Sequence, residues 1–204
     1  MTILAIDTST NHGSVALLAD GEMRLEETFV ADRSHSATLF AVLERAVALA
    51  PRVDQVVIGL GPGSYAGVRI AIATAIGLEL GIGAQLAGIP SVAALETDAA
   101  TYLAIGDARR ETFYFTHVEN GVCVEGPLLA TAAELSQRVA AHPALPIFAT
   151  ETLAGFPAAQ MALPSAARLA RLADAARGIT ATGDLEPIYL REPHITPPKV
   201  RPPS

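Results

Sequence analysis

The sequence has 204 residues, half of them hydrophobic, which is enough to bury the core of one domain or of two small lobes. Its formal net charge is −7 and Lys199 is its only lysine, so the composition disfavours a stand-alone nucleic-acid-binding protein, which needs clustered basic side chains. Cys123 is the only cysteine, which excludes an internal disulfide and a cysteine-based zinc site and leads us to expect a cytoplasmic protein.

The first half of the chain predicts a strand-rich unit followed by alternating strands and helices. Three runs, TILAID, GSVALLA and MRLEETFV, predict an antiparallel meander. A helix is expected over about 36–50, capped by Ser34 or Ser36. A buried strand, QVVIGL, then leads to a glycine-rich turn, a helix over 67–80 that carries almost no charge, and a short strand at 85–87. That order is typical of an α/β unit.

Neither a secretion signal nor a membrane-spanning segment is expected. The N-terminal run MTILAIDTST has no basic residue before its short apolar stretch. The apolar run 70–78 is well short of the about 20 residues that a bilayer requires.

The second half predicts a smaller lobe, which begins after a break in the pattern at 95–101. We expect an N-terminal lobe at 1–98, a C-terminal lobe at 99–190 and a basic, proline-rich tail at 191–204. The tail is interpreted as a disordered end, with contact to RNA or a partner left open. The predicted elements of the second lobe are strands at 102–106, 112–118 and 122–124, a helix at 132–141, the strand PIFAT and a helix at 165–177.

Two segments have the residue types of phosphate-binding loops. Asp7, Thr8 and Ser9 end the first strand, where a carboxylate and hydroxyls can bind a phosphate or its magnesium ion, although such residues also cap turns without a ligand. The glycine-rich turn opens onto a helix N-terminus, which favours anions, although a Pro-Gly turn needs no ligand. It matches neither GxxxxGKS, GxxxxGKT nor GxGxxG at its start. Its candidate phosphate contacts are Gly61, Gly63, Ser64, Gly67 and Arg69, of which Arg69 can equally pair with a surface carboxylate.

Five segments, taken in order, resemble one protein family. They are IDTST, RSHSATLF, GLGPGSYAGVRI, GDARRETFYF and PIYLRE, and together they span nearly the whole chain. They resemble the TsaB (YeaZ) family of bacterial tRNA threonylcarbamoyladenosine synthesis. The resemblance implies an α/β fold of the ASKHA type, shared by actin, Hsp70 and sugar kinases, with two lobes of mixed sheets flanked by helices and a reduced second lobe. It also implies a complex with the paralogue TsaD, which performs the transfer, and with the ATPase TsaE, and a homodimer when the protein is alone.

The residues that would make this chain a TsaD-like catalyst are missing from its sequence. TsaD-type proteins carry two metal-binding histidines, four residues apart, after the strand that follows the glycine-turn helix. The corresponding stretch here, GIPSVAALETD, contains no histidine, and a late Gly-Gly loop for adenosine is missing as well. We therefore interpret the two phosphate loops as vestigial, expect no catalytic residue, metal or cofactor, and leave weak nucleotide binding open.

The two weakly charged helices, 36–50 and 67–80, predict a surface for a partner protein. Each helix would cover the sheet with one side, and its other side still carries apolar residues, which would leave a large apolar patch in water. The second lobe could cover this patch instead. The resemblance favours a partner, because TsaB proteins bind TsaD through helices of this lobe. The predicted contact residues are His35, Leu39, Phe40, Val42, Leu43, Ala46, Ala71, Ala75 and Leu78.

Two functions of different classes follow. The first is a noncatalytic scaffold or activator that binds TsaD and supports threonylcarbamoyl transfer to tRNAs that read codons beginning with A. TsaE would join the larger complex, and tRNA would be bound only through that complex. The second is an autonomous ATP- and magnesium-dependent enzyme of phosphotransferase type that uses Asp7, Ser9, Ser64 and Arg69. The missing histidines and adenosine loop favour the scaffold.

Overall fold

Two mixed β-sheets and four α-helices make up the part of the chain that the computed structural model describes, residues 1–30 and 35–191. In chain order the strands are β1 (Thr2–Asp7), β2 (His12–Ala19), β3 (Glu22–Val30), β4 (Gln55–Gly59), β5 (Gln85–Ile89), β6 (Thr101–Asp107), β7 (Thr112–Glu119), β8 (Val122–Thr131), β9 (Ile147–Ala149), β10 (Gln160–Met161) and β11 (Ala181–Thr182). The helices are α1 (His35–Ala48), α2 (Tyr65–Ile82), α3 (Ala132–Ala140) and α4 (Ala166–Asp174), with a 3₁₀ turn at Ser91–Ala94.

The first sheet has the strand order β11-β5-β4-β1-β2-β3. Strands β1, β2 and β3 form the predicted antiparallel meander, and β4 and β5 continue the sheet in parallel with β1. Because successive side chains of a strand point to opposite faces, Leu4 and Ile6 pack under α1 and α2, whereas Ile3 and Ala5 belong to the core on the other face. The two predicted helices therefore lie on one face of this sheet.

The second sheet has the strand order β10-β9-β6-β7-β8 and is covered on one face by α3. Thr131 caps this helix: its hydroxyl accepts a hydrogen bond from the Glu134 amide at 3.3 Å, and the Glu134 carboxylate accepts one from the Thr131 amide at 2.7 Å. Leu135 is fully buried against the sheet. Two mixed sheets flanked by helices confirm the predicted α/β class of ASKHA type.

Helix α4 packs against β1, β2 and β4 of the first sheet, although its position in the sequence led us to assign it to the second lobe. The Ser14 hydroxyl of β2 accepts a hydrogen bond from the Ala166 amide at 2.9 Å and so caps α4 from the first sheet. One buried cluster joins α4 to both sheets. The division of the chain near residue 98 remains a prediction.

Candidate functional site

The two predicted phosphate loops meet, but they bind each other. The Ser64 amide donates a hydrogen bond to the Ser9 carbonyl oxygen at 2.6 Å, and the Thr8 hydroxyl donates one to the Gly67 carbonyl oxygen at 2.7 Å. The Ser64 hydroxyl is the N-cap of α2 and accepts from the Gly67 amide at 3.2 Å. These bonds occupy groups that a phosphate between the loops would need.

Glycines allow this close contact between the loops. A Cβ atom at Gly63 would overlap the Ser9 carbonyl oxygen, one at Gly67 would overlap the Thr8 carbonyl oxygen, and one at Gly59 would overlap the Asp7 carboxylate. The backbones of the two loops therefore lie so close together that only glycine, which has no Cβ atom, fits at these positions. At Gly61 the backbone has φ 89, a left-handed conformation that also favours glycine.

Asp7 is sealed inside the protein. Its Oδ1 accepts hydrogen bonds from the Ser9 amide at 2.8 Å and from the Ser9 hydroxyl at 2.7 Å, and its Oδ2 has no hydrogen-bond partner among the described residues. Burial raises the pKa of this carboxyl, and three neighbouring groups oppose that rise only in part. They are the Ser91 hydroxyl, which lies on the Oδ2 side without forming a hydrogen bond of ordinary geometry to it, and the hydroxyl and amide of Ser9. A buried carboxyl with a raised pKa is a poor ligand for magnesium, which prefers accessible carboxylate oxygens.

The residues present therefore do not fit a magnesium nucleotide bound between the two loops. In residues 1–30 and 35–191, moreover, no group of three or more His, Cys, Asp and Glu side chains is arranged to hold a metal ion. Arg69, the last of the predicted phosphate contacts, binds a tyrosine side chain instead. Its guanidinium donates to the Tyr65 hydroxyl at 2.6 Å and lies 5.2 Å from the centre of that ring.

The Tyr65 ring also packs on Tyr189, with ring centres 5.3 Å apart. The segment that carries Tyr189 continues the contact, because the Ile188 amide donates to the Leu60 carbonyl oxygen at 2.9 Å. Neither Tyr65 nor Tyr189 was predicted from the sequence as a site residue. Tyr189 lies in the segment PIYLRE, which was noted for its resemblance to the family. The spacing of its residues, however, does not show that this segment packs against the glycine-rich turn.

The outer sides of α1 and α2 form an apolar groove of about 680 Å³. Phe40, which lines the groove, is 55% exposed, and Leu80 of α2, farther along the helix and outside the lining, is 83% exposed. Small residues, Ala73 and Gly77, lie on the floor and allow a second helix to approach closely. The groove is lined by Phe40, Leu43, Glu44, Val47, Ile70, Ala73, Thr74, Gly77 and Leu78.

The residues exposed in this groove differ from the partner contacts predicted from the sequence. Ala71 and Ala75 are fully buried against the sheet, so the outward stripe of α2 runs instead through Ala66, Ala73 and Gly77. Between Arg69 and Glu79 the helix has no charged residue and so no polar side from which its orientation can be inferred, which is why the sequence misplaced the stripe. Of the predicted residues on α1, those buried in the core are Leu39, Val42, Leu43 and Ala46. Phe40, Leu43 and Leu78 line the groove, and the His35 side chain lies outside the described residues.

Helix α2 is longer than the apolar run 70–78 on which the sequence estimate relied. It has 18 residues and a mean hydropathy of 1.4, so by length and composition alone it could cross a membrane. In the fold it covers β4 and β5, with Val68 and Ile72 buried on the sheet side. That packing is typical of a helix in an α/β layer.

A second cavity, of about 930 Å³, lies between the two sheets beside the closed loops. Residues from both halves of the chain line it, among them Ser64, Arg109, Thr150 and Arg191. Tyr114 in its wall is buried, and burial raises the pKa of its phenol to about 12.

Comparison with known proteins places the chain among related sequences and structures. The family model described as TsaD, tRNA N6-adenosine threonylcarbamoyltransferase, matches residues 29–175. An uncharacterized protein of Mycobacterium tuberculosis is 30% identical over 204 residues, which cover 96% of this chain and 94% of that protein. The tRNA threonylcarbamoyladenosine biosynthesis protein TsaB of Haemophilus influenzae is 33% identical over 128 residues, or 58% of this chain and 54% of that protein.

Two solved structures with YeaZ in their descriptions are also similar to this chain. A Pseudomonas aeruginosa protein described as similar to peptidase YeaZ superposes with a TM-score of 0.71 and 28% identity, covering 93% of this chain and 99% of that one. YeaZ from the same organism has a TM-score of 0.54 and 31% identity, covering 63% of this chain and 66% of that one.

Proposed function

The chain belongs to the TsaB (YeaZ) family, within the broader TsaD family, and on that premise we propose that it is the noncatalytic subunit of a complex that makes threonylcarbamoyladenosine in tRNA. In this proposal the chain binds a TsaD-family protein, which performs the transfer. The chain acts as scaffold and activator for tRNAs that read codons beginning with A. TsaE and tRNA join through the complex, in the cytoplasm.

The observation that carries the proposal is the exposed apolar groove between α1 and α2. Leaving Phe40 and Leu80 in water has a cost that burial under a partner would remove, since apolar area buried from water contributes about 25 cal/mol per Å². A groove floored by Ala73 and Gly77 suits a partner helix. In the absence of that partner, a second copy of the chain would use the same surface.

The closed loops support the noncatalytic part of the proposal. A phosphotransferase would have to bring Asp7 to magnesium and the glycine-rich turn to a phosphate, whereas Asp7 is sealed and the turn is bonded to Ser9. The competing proposal, an autonomous ATP- and magnesium-dependent enzyme, makes a simple prediction. Calorimetry on the isolated chain would then detect tight magnesium-ATP binding that is lost in Asp7→Ala.

Binding to the TsaD-family protein of the same organism tests the groove. Ala73→Arg places a long charged side chain on its floor, and we expect the affinity to fall about 30-fold or more, as for interface positions that contribute 2 kcal/mol or more. Ala140→Arg, on an exposed position of α3, is the matched control and should leave the affinity unchanged. Equal affinities of the two variants would refute the proposed surface.

Reconstitution of the tRNA modification then tests the role. We expect the TsaD-family protein with TsaE to require this chain, and Ala73→Arg to reduce product formation in parallel with binding. Modification by this chain without a TsaD-family protein would contradict a noncatalytic subunit.

A further inference from the structure

We propose that the cleft between the two sheets binds a small molecule through a single oxyanion, a phosphate or carboxylate group, which Arg191 holds. The cleft has a volume of about 930 Å³, within the usual range of about 300–1,000 Å³ for small-molecule sites. It lies apart from the α1 and α2 groove, and the two share no lining residue. The proposal is therefore independent of partner binding.

Arg191 is a cation without a counter-ion in the described part of the chain. Its Nη2 donates a hydrogen bond to the Thr112 hydroxyl, whereas its Nε is buried and has no hydrogen-bond partner there. Ion pairs are formed instead by Arg24, Arg45, Arg52, Arg109 and Arg138. The guanidinium as a whole is half-buried, and beyond the bond to Thr112 its Nη groups keep N–H donors that can bind a carboxylate or phosphate oxygen.

A strained turn joins this cation to a second one. Arg109, Arg110 and Glu111 have φ of 67, 54 and 60, a left-handed conformation that is unfavourable for each of them. Thr112 holds the turn, because its amide and hydroxyl both donate to the Arg109 carbonyl oxygen, at 3.2 and 2.9 Å. Since Arg191 donates to the same hydroxyl, one threonine links the strained turn to the unpaired guanidinium. Strain of this kind is retained where it positions a group for binding.

The charges of the cleft limit the ligand to a small anion. The lining carries two arginines, Arg109 and Arg191, and two carboxylates, Asp107 and Glu151, so these four groups add up to no net charge. Asp107 pairs with Arg109 at 3.3 Å, which leaves Arg191 without an ion pair of its own. A polyphosphate would bring several negative charges close to the carboxylates of Asp107 and Glu151, which would repel it. A single oxyanion bound to Arg191 adds only one or two negative charges and is repelled less. The two phosphate loops of the first lobe are bonded to each other, so the anion must lie on the Arg191 side of the cleft.

The test is a titration of the full chain with inorganic phosphate and, separately, with acetate, at constant ionic strength, followed by the amide resonances of Thr112 and Thr150. We expect saturable shifts with at least one of the two probes, and the tighter probe shows whether the natural group is a phosphate or a carboxylate. The absence of saturable shifts with both probes would overturn the proposal.

Variants identify the residue that holds the anion. Arg191→Gln should weaken binding about 10- to 100-fold, because it removes hydrogen bonds to a charged group. Arg191→Lys keeps the charge without the fork and should lose less, and a preserved thermal unfolding transition shows that it folds. Arg52→Gln, an exposed arginine paired with Asp54, is the control and should bind like the unaltered protein. Equal binding by Arg191→Gln and Arg52→Gln would refute the site and leave the proposed function standing.

Discussion

Replacing Asp7 with asparagine should stabilise the protein at neutral pH, although an aspartate at this position looks like a magnesium ligand. The carboxyl group is fully buried and its Oδ2 has no hydrogen-bond partner among the described residues. Burial is the main cause of its raised pKa. The folded protein must therefore retain a proton that the unfolded chain releases, or bury an unpaired charge.

The sign of the pH dependence follows from this raised pKa. The stability that a protonated Asp7 contributes is complete below the unfolded pKa of about 4 and is lost as the pH rises through the folded pKa. Asparagine keeps the oxygen that accepts from Ser9 and places an NH₂ group where Oδ2 lies, on the side of the Ser91 hydroxyl. Since an unpaired buried acceptor costs about 1–3 kcal/mol, we expect a gain of about 1–2 kcal/mol at neutral pH. For a chain of this size the Tm should rise by about 2–8 °C.

Thermal unfolding followed by circular dichroism at about pH 4.5 and about pH 8 measures this difference. Asp20→Asn is the control with the opposite sign: Asp20 is exposed, and a 2.9 Å hydrogen bond from the N-terminal amine lowers its pKa. Its contribution is present above the unfolded pKa and is lost as the pH falls through the folded pKa, so Asp20→Asn should lose stability slightly at pH 8. A lower Tm for Asp7→Asn at both pH values, or a gain that does not depend on pH, would refute the reasoning.

Two further predictions concern packing. Gly63→Ala should lower the free energy of unfolding by about 1–3 kcal/mol in urea, because its Cβ would overlap the Ser9 carbonyl oxygen. Gly155→Ala, whose Cβ would have no atom within 4 Å, should change it little, and equal effects would show that the loops are not in close contact. Cys123 should react slowly with a thiol reagent near pH 8 and quickly in urea, because burial raises its pKa to about 12 and lowers the thiolate fraction about a thousandfold. Equal rates in the folded and unfolded states would contradict that burial.

Strands and helices with a clear period could be predicted from the sequence. The alternation of MRLEETFV predicted β3, and the run QVVIGL predicted β4, because burial on one face or on both leaves a direct pattern. Strand β8 was predicted only at 122–124 and continues to Thr131, since Gly126 and Pro127 in its middle are turn residues elsewhere. Two-residue strands such as β10 are too short to have a period.

Which elements pack together was harder to predict. Helix α4 follows the strands of the second sheet in sequence, yet its alanine-rich face contacts the first sheet, and a small apolar face fits either one. The candidate site shows the same difficulty. The sequence placed Asp7 and Gly63 near each other, but whether a gap for phosphate remains between the loops depends on backbone contacts such as the 2.6 Å hydrogen bond from the Ser64 amide to the Ser9 carbonyl oxygen. The role proposed for Arg191 depends on Thr112, 79 residues away, which no local pattern reveals.

The closed loops and the exposed groove are consequences of one arrangement around α2. The Thr8 hydroxyl and the Ser9 carbonyl oxygen, at the end of β1, hold the first turn of α2 through Gly67 and Ser64. Fixed there, the helix buries Ala71 and Ala75 on the sheet and directs Ala73 and Gly77 outward. A helix that buries one side on the sheet, and would bury the other under the proposed partner, has no place for charged residues, and none occurs between Arg69 and Glu79. The glycine-rich turn thus serves the proposed partner surface through the position of α2.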